Sequence, residues 1–189
     1  MTMSMCRKIC ITNRKLVKGD FLRQISRVLD TKPYALILRE KDLREEDYER
    51  LAEQVMKLCV GSRTRLIVHS YPDVARRLGV EDIHMPLAAF IKMSEEDKRM
   101  YRHIGVSTHS VEDAILAEQQ GAGYITAGHV FATDCKKGLP PRGLAFLHEV
   151  CQAVSIPVYA IGGITEENMS PCMEQGAAGV CMMSGYMTL

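Results

Sequence analysis

The sequence lacks tryptophan and has few aromatic residues of any kind, which make up 6% of its 189 positions. Its charges nearly cancel, with 24 Lys and Arg against 23 Asp and Glu. It therefore lacks the basic excess that is typical of proteins that bind nucleic acid or acidic membranes. No apolar run approaches the length that is needed to span a bilayer. These absences give no reason to expect nucleic acid or a membrane as a partner.

The cysteines also lack a pattern. There are seven of them, an odd number, scattered from Cys6 to Cys181 without a CxxC pair that would indicate a zinc or redox site. The first ten residues, Met1–Cys10, include Arg7 and Lys8 but no following apolar segment, so they make a poor signal peptide. We therefore expect reduced thiols in a cytoplasmic protein.

What the sequence does contain is a regular alternation of short apolar runs and helical patterns over one domain, which we place at residues 1–189. The predicted strands are Lys8–Thr12, Tyr34–Arg39, Arg65–His69, Asp82–His84, His103–Ser107, Gly123–Ala127, Pro157–Ile161 and Gly179–Met183. The predicted helices are Gly19–Leu29, Arg44–Val60, Pro72–Leu78, Ser94–Arg99, Ser110–Gln120, Leu144–Ala153 and Thr165–Gln175.

Eight strands that alternate with seven helices predict an α/β fold, a closed (β/α)₈ TIM barrel with a parallel sheet. The barrel is compact, because this fold usually takes about 250 residues. The pattern leaves the last outer helix out, since no helix follows the eighth strand. The flank of strands eight and one is then an apolar surface that a second copy could cover, so we expect a homo-oligomer.

The most informative segment is the polar loop Gly128–Gly143, which follows the sixth strand. Loops at the carboxyl ends of barrel strands hold the active site. This loop offers the imidazole of His129, which can transfer protons near neutral pH, together with Thr133 and Lys136. A histidine that merely bonds a backbone carbonyl and a lysine that is merely solvated are the alternatives.

Two further loops predict a phosphate site. Gly162 and Gly163 lie between the seventh strand and the predicted helix, where backbone N–H groups and the helix dipole favour an anion. Ser184 and Gly185 follow the eighth strand, and the loops after strands seven and eight of such barrels often hold phosphate. The alternative is that the glycines only form a tight turn.

Cations and a hydroxyl follow the second and fifth strands. Strand alternation puts Arg39 and Lys41 on the same side, so both could reach the barrel mouth. The alternative is a pair of solvated loop side chains. Ser107 could donate a hydrogen bond there. His69, His84 and His129 could in principle bind a metal, but no carboxylate accompanies them, so we predict no metal site.

These motifs resemble the thiamin-phosphate-synthase/TenI superfamily over nearly the whole chain. The resemblance rests on GHVF-x-TDCKKGL at Gly128–Leu139, on IPV-x-AIGG at Ile156–Gly163 and on shorter matches. The shorter matches are Leu38–Glu40, Gly105–Ser107, His109–Ser110, Arg142–Gly143 and Met183–Gly185. The first motif is especially similar to the thiazole tautomerases of the superfamily.

The resemblance implies an isomerase that aromatises a carboxythiazole phosphate in thiamin biosynthesis, with neither cofactor nor metal. In that reading His129 carries the proton, and the phosphate lies on Gly162, Gly163 and Ser184. The substrate carboxylate is bound by Thr133, Arg39 or Lys136. This is the function that we expect from the sequence.

Two alternatives stay open. One is a Mg²⁺-dependent thiamin phosphate synthase, whose family pattern has an Asn-Asp pair after the third strand and Gly-Gln-x-Asp after the fourth. Here those places hold His69–Ser70 and His84–Leu87, without a carboxylate, so we expect no synthase activity. The other alternative is a non-catalytic ligand-binding or regulatory protein that has kept the pocket.

Overall fold

A closed barrel of eight parallel strands forms the centre of the protein, as predicted. The computed structural model describes residues 6–133 and 138–189. The strands are β1 (Arg7–Ile11), β2 (Ala35–Leu38), β3 (Arg65–His69), β4 (Asp82–Pro86), β5 (His103–Thr108), β6 (Tyr124–Gly128), β7 (Val158–Ile161) and β8 (Gly179–Met182). Each strand pairs in parallel with the next, and β8 pairs with β1 to close the ring.

Helices connect the strands on the outside of the barrel. They are α1 (Phe21–Asp30), α2 (Glu45–Cys59), α3 (Pro72–Leu78), α4 (Leu87–Phe90), α5 (Glu95–Arg99), α6 (Val111–Gln119), α7 (Gly143–Ala153), α8 (Ser170–Glu174) and α9 (Ser184–Met187). A 3₁₀ turn, Arg14–Leu16, follows β1. No helix in the part of the chain that the structure describes is long and apolar enough to cross a membrane.

Strand alternation divides the core into two layers. Ile9 and Ile11 of β1 point into the barrel and join an inner cluster that includes Tyr124 and Tyr159. Cys10 lies between them in sequence and belongs to the larger cluster between the strands and the helices. The inner layer is small and contains two tyrosines, so polar side chains are part of the barrel interior from the start.

The local signals account for most of the helix boundaries. The Ser110 hydroxyl accepts a hydrogen bond from the backbone N–H of Asp113 at 3.0 Å and caps α6, which is the role that the sequence predicts for it. The predicted helix Thr165–Gln175 is too long, because α8 begins only at Ser170. The Asn168 side chain accepts from the N–H of Thr165 and donates to the carbonyl of Gly163, which holds this stretch as a turn.

One helical turn, α9, follows β8 where the sequence predicts no helix. Tyr186 and Met187 of this turn are buried, and the Gln24 side chain of α1 donates to the Tyr186 carbonyl at 2.7 Å. The turn therefore packs near the seam where β8 meets β1. The sequence analysis predicted a homo-oligomer from an uncovered flank, and the homo-oligomer stays a prediction.

Closure of the barrel depends on a close backbone approach at Gly179. This residue of β8 pairs with Arg7 of β1, and a Cβ at this position would overlap the Arg7 carbonyl oxygen. We expect Gly179→Ala to lower the free energy of unfolding by about 1–3 kcal/mol, because neither backbone can move without breaking the seam. Urea unfolding followed by circular dichroism measures the change.

Gly185→Ala is the matched control, because a Cβ there meets open space. It should change the free energy of unfolding by less than about 1 kcal/mol, and we expect an increase because alanine favours a helical turn more than glycine does. Equal stabilities for the two variants would contradict the importance of the contact between Gly179 and Arg7.

Candidate active site

The carboxyl ends of the strands surround a cavity of about 510 Å³. Of the residues that the sequence assigns to the site, those that line the cavity are Arg39, Lys41, Ser107, His129, Thr133, Gly162, Gly163 and Ser184. Gly185 does not line it, and Lys136 lies outside the described residues. The structure therefore gathers most of the predicted residues around one cavity, and their roles stay predictions.

A buried carboxylate fixes the loop that carries the two cations. Glu40 is 3% exposed and lies between Arg39 and Lys41 in sequence. It accepts hydrogen bonds from the hydroxyl of Thr12 at 2.7 Å and from the backbone N–H of Arg14 at 3.0 Å. Glu40 does not line the cavity, whereas its two cationic neighbours do.

The glycines after β7 provide close packing between two loops. Gly162 and Gly163 both have positive φ, at 100° and 65°. A Cβ on Gly162 would overlap His129, and one on Gly163 would overlap the Ala132 carbonyl oxygen. The N–H of Phe131 donates to the Gly162 carbonyl at 3.0 Å. The sequence argument placed a helix dipole next to these glycines. It is wrong, because the first helix after them, α8, starts only at Ser170.

His129 lines the cavity at the point where these loops meet. It is partly exposed, and its Nε2 lies 3.4 Å from the Leu139 carbonyl oxygen. The neighbouring His109 places Nδ1 at 3.2 Å from the Gly128 carbonyl and receives no site role from the sequence analysis. Both imidazoles thus contact backbone oxygen, which is the alternative that the sequence left open for a loop histidine.

Two more histidines form the floor of the cavity. The rings of His69 and His84 stack with centroids 5.6 Å apart and an interplanar angle of 19°. They are 5% and 2% exposed, and they are register partners in the neighbouring strands β3 and β4. Burial lowers the pKa of His84 to about 3, with a further contribution from the charge of Lys41.

The pKa of His69 is also lowered, first by burial and then by the charges of His84, Arg39 and Lys41. Both rings are therefore neutral near pH 7. The sequence analysis considered this pair only as metal ligands and left it out of the site. The sequence placed both near predicted strand ends, but their stacking depends on the register between β3 and β4.

The hydrogen bonds of this pair reach into the barrel. Ser70 Oγ lies 2.7 Å from His69 Nδ1. His84 Nδ1 lies 3.1 Å from the Tyr124 hydroxyl, and His84 Nε2 lies 2.9 Å from Ser107 Oγ. Three elements of the fold, β4, β5 and β6, therefore meet through one imidazole.

The donor set at this end of the barrel does not fit Mg²⁺, the ion that the family resemblance implies for synthase chemistry. Within residues 6–133 and 138–189, no group of three or more His, Cys, Asp or Glu is placed to hold a metal ion. Mg²⁺ prefers hard oxygen ligands, and β3 and β4 bring imidazoles to the cavity here. We therefore derive no step of the reaction from a bound magnesium ion.

The buried imidazoles predict how stability depends on pH. The ordinary pKa of histidine is 6.5, and the pKa of folded His84 is about 3. Between these two pH values the imidazole is protonated in the unfolded chain and neutral in the folded protein. The free energy of unfolding therefore falls as the pH is lowered through this window, by up to about 1.4 kcal/mol per pH unit for each such imidazole. Between pH 6 and 5 the wild type should lose about 1 kcal/mol more than His84→Gln.

Urea unfolding at the two pH values measures this difference. His148→Gln, which replaces an exposed imidazole on α7, is the control and should keep the wild-type slope. Parallel profiles for the wild type and His84→Gln would mean that His84 is protonated as readily in the folded protein as in the unfolded chain.

The chain is similar to known proteins over nearly its whole length. A relative from Aquifex aeolicus (strain VF5) is 33% identical over 185 residues, which span 98% of this chain and 100% of that relative. The "Thiamine-phosphate synthase" of Clostridium acetobutylicum is 31% identical over 94% of this chain and 85% of its own length. Among solved structures, a thiamine phosphate pyrophosphorylase from Pyrococcus furiosus matches with a TM-score of 0.83 and 27% identity, covering 97% of this chain and 88% of that one.

These findings correct the expected activity. The sequence analysis predicted a thiazole tautomerase, an isomerase, and expected no synthase activity, but the curated relatives are named thiamine-phosphate synthase, which is a transferase. The tautomerase prediction rested on the loop motif that includes His129 and on the missing carboxylates after the third and fourth strands. A family model described as thiamine monophosphate synthase matches residues 9–186, and the chain therefore belongs to the thiamine monophosphate synthase/TenI family.

Proposed function

We propose that this chain is a transferase of the thiamine-phosphate-synthase type, which joins a pyrimidine diphosphate to a thiazole phosphate and releases diphosphate. The whole-chain similarity to relatives of that name supports this reaction class. Both substrates are small anionic molecules, so the reaction requires one cavity that accepts two phosphate-bearing groups. The barrel mouth has the size and the polar groups for this task.

The observation that carries the proposal is the division of the cavity wall. Arg39 and Lys41 line it next to β2, where they can neutralise a diphosphate. Gly162, Gly163 and Ser184 line it next to β7 and β8, where backbone and hydroxyl donors can bind a monophosphate. Two anionic groups could therefore bind at different sides of one cavity, with the reacting carbon and nitrogen between them.

Apolar side chains form part of the wall of this space. Ile11, Ile37 and Leu87 are among the residues that line it. A wall of this kind excludes water, and charge interactions inside it are stronger than at an open surface. The cations near β2 can then stabilise the negative charge that develops on the departing diphosphate.

A second candidate function rests on the composition of the strand ends. Since β3 and β4 bring His69 and His84 to the cavity and supply no carboxylate to its lining, the cavity could serve a binding protein that holds a thiazole phosphate without turning it over. Such a protein would keep the monophosphate side of the cavity and would need no leaving group.

The direct test is a reaction with both substrates, run with Mg²⁺ and with EDTA, in which thiamin phosphate and released pyrophosphate are measured. We expect product from the wild type. Lys41→Met should lower kcat/KM at least about 10-fold, because a charge-assisted contact with the diphosphate is lost. Lys57→Met is the control, since Lys57 lies exposed on α2 in an ion pair with Glu53.

The outcomes separate the two candidates. If no product forms under either condition while thiazole phosphate binds to the folded protein, the transferase proposal is wrong and the binding protein is favoured. An equal loss in Lys41→Met and Lys57→Met would also count against the role given to Lys41.

A further inference from the structure

The interior of the barrel determines which nitrogen of His84 carries its proton. Tyr124 is 7% exposed, and burial raises the pKa of its hydroxyl well above the usual value, so the hydroxyl keeps its hydrogen. Within the described residues the acceptor in reach of that hydrogen is His84 Nδ1, at 3.1 Å. A neutral imidazole that accepts at Nδ1 carries its hydrogen on Nε2.

The hydrogen on Nε2 determines whether Ser107 accepts or donates in its bond with His84. His84 Nε2 lies 2.9 Å from Ser107 Oγ, so the imidazole donates and the serine oxygen accepts. The hydroxyl hydrogen of Ser107 cannot point back at the same nitrogen. Since Ser107 lines the cavity, its hydrogen is available to an anion there.

Positive charge lies near the histidine pair. Arg39 and Lys41 line the cavity, and both lie close enough to His69 to lower its pKa. The carboxylates next to them in sequence, Glu40 and Asp42, both accept hydrogen bonds from Arg14. Asp113 is the one carboxylate among the described lining residues, and one of its oxygens accepts from the N–H of His109 at 2.9 Å.

We propose that the Tyr124–His84 pair directs the Ser107 hydroxyl into the cavity, and that this hydroxyl together with Arg39 and Lys41 binds a diphosphate group directly, without a divalent cation between protein and anion. Tyr124 and His84 are positioning residues that act through Ser107. The choice of diphosphate rests on the proposed function, whereas the direction of the hydrogen bonds rests on the structure. The imidazoles thus occupy the place where oxygen ligands would be needed for a metal.

Calorimetric titration of the full chain with inorganic pyrophosphate tests the metal-free binding. We expect a Kd in EDTA that excess Mg²⁺ does not tighten. Binding that is seen only with Mg²⁺, or that Mg²⁺ tightens about 10-fold or more, would overturn the proposal, as would failure of the folded protein to bind pyrophosphate in either buffer.

Tyr124→Phe tests the positioning, with Tyr159→Phe as the matched control. The two rings contact each other edge to face at 5.5 Å, but only the Tyr124 hydroxyl bonds to His84. Tyr124→Phe should weaken pyrophosphate binding about 3- to 10-fold, the worth of one neutral hydrogen bond. Tyr159→Phe should bind as the wild type does.

Nitrogen-15 chemical shifts of the His84 ring give a readout that a purely structural role would not change. We expect hydrogen on Nε2 in the wild type and in Tyr159→Phe, and a mixture of the two neutral forms in Tyr124→Phe. Ser107→Ala is a second variant that should weaken pyrophosphate binding to a similar degree while leaving the bond at Nδ1 intact. Hydrogen on Nδ1 in the wild type, or unchanged pyrophosphate binding in both Tyr124→Phe and Ser107→Ala, would reject the positioning role.

These measurements involve no turnover, so the two proposals can fail separately. A chain that binds pyrophosphate in EDTA and makes no thiamin phosphate contradicts the transferase and leaves the anion site intact. A chain that makes product only with Mg²⁺, and binds pyrophosphate only with Mg²⁺, supports the transferase and overturns direct binding.

Discussion

The hydrogen bond between Tyr124 and His84 is the constraint on which the mouth of the barrel depends. A hydroxyl and an imidazole inside an apolar barrel would each cost several kcal/mol if they lacked partners. Their mutual bond removes most of that cost, and burial keeps the imidazole uncharged. Gly105 makes the arrangement possible, because a side chain there would occupy the space of the Tyr124 ring.

A neutral floor under a cationic rim determines what the cavity can hold. His69 and His84 supply hydrogen-bonding groups without charge. Glu40, which does not line the cavity, accepts hydrogen bonds from Thr12 and Arg14. Arg39 and Lys41 line the same cavity as these two uncharged imidazoles. A site of this composition suits anions and offers little to a hard cation.

The sequence was sufficient for the barrel, because the strands follow from periodicity, and most of the residues that it assigned to the site line the cavity. All eight strands were predicted, since each is a short apolar run closed by polar residues, and strand alternation correctly brought Arg39 and Lys41 to the mouth. The short helix α4 and the late start of α8 were missed, because side-chain contacts such as those of Asn168 determine them. The His69–His84 stack was missed because it depends on a lateral register between strands that no local pattern encodes.

The interlocking of the loops after β6 and β7 has a consequence for how this family can diversify. Any side chain larger than hydrogen at Gly162 or Gly163 would collide with His129 or Ala132, and the two segments also share a hydrogen bond from Phe131 to Gly162. Neither segment can then accept an insertion or a bulkier residue on its own. Evolution of a new substrate preference at this rim would require paired, compensating changes, so descendants of this chain should inherit the two segments as one unit.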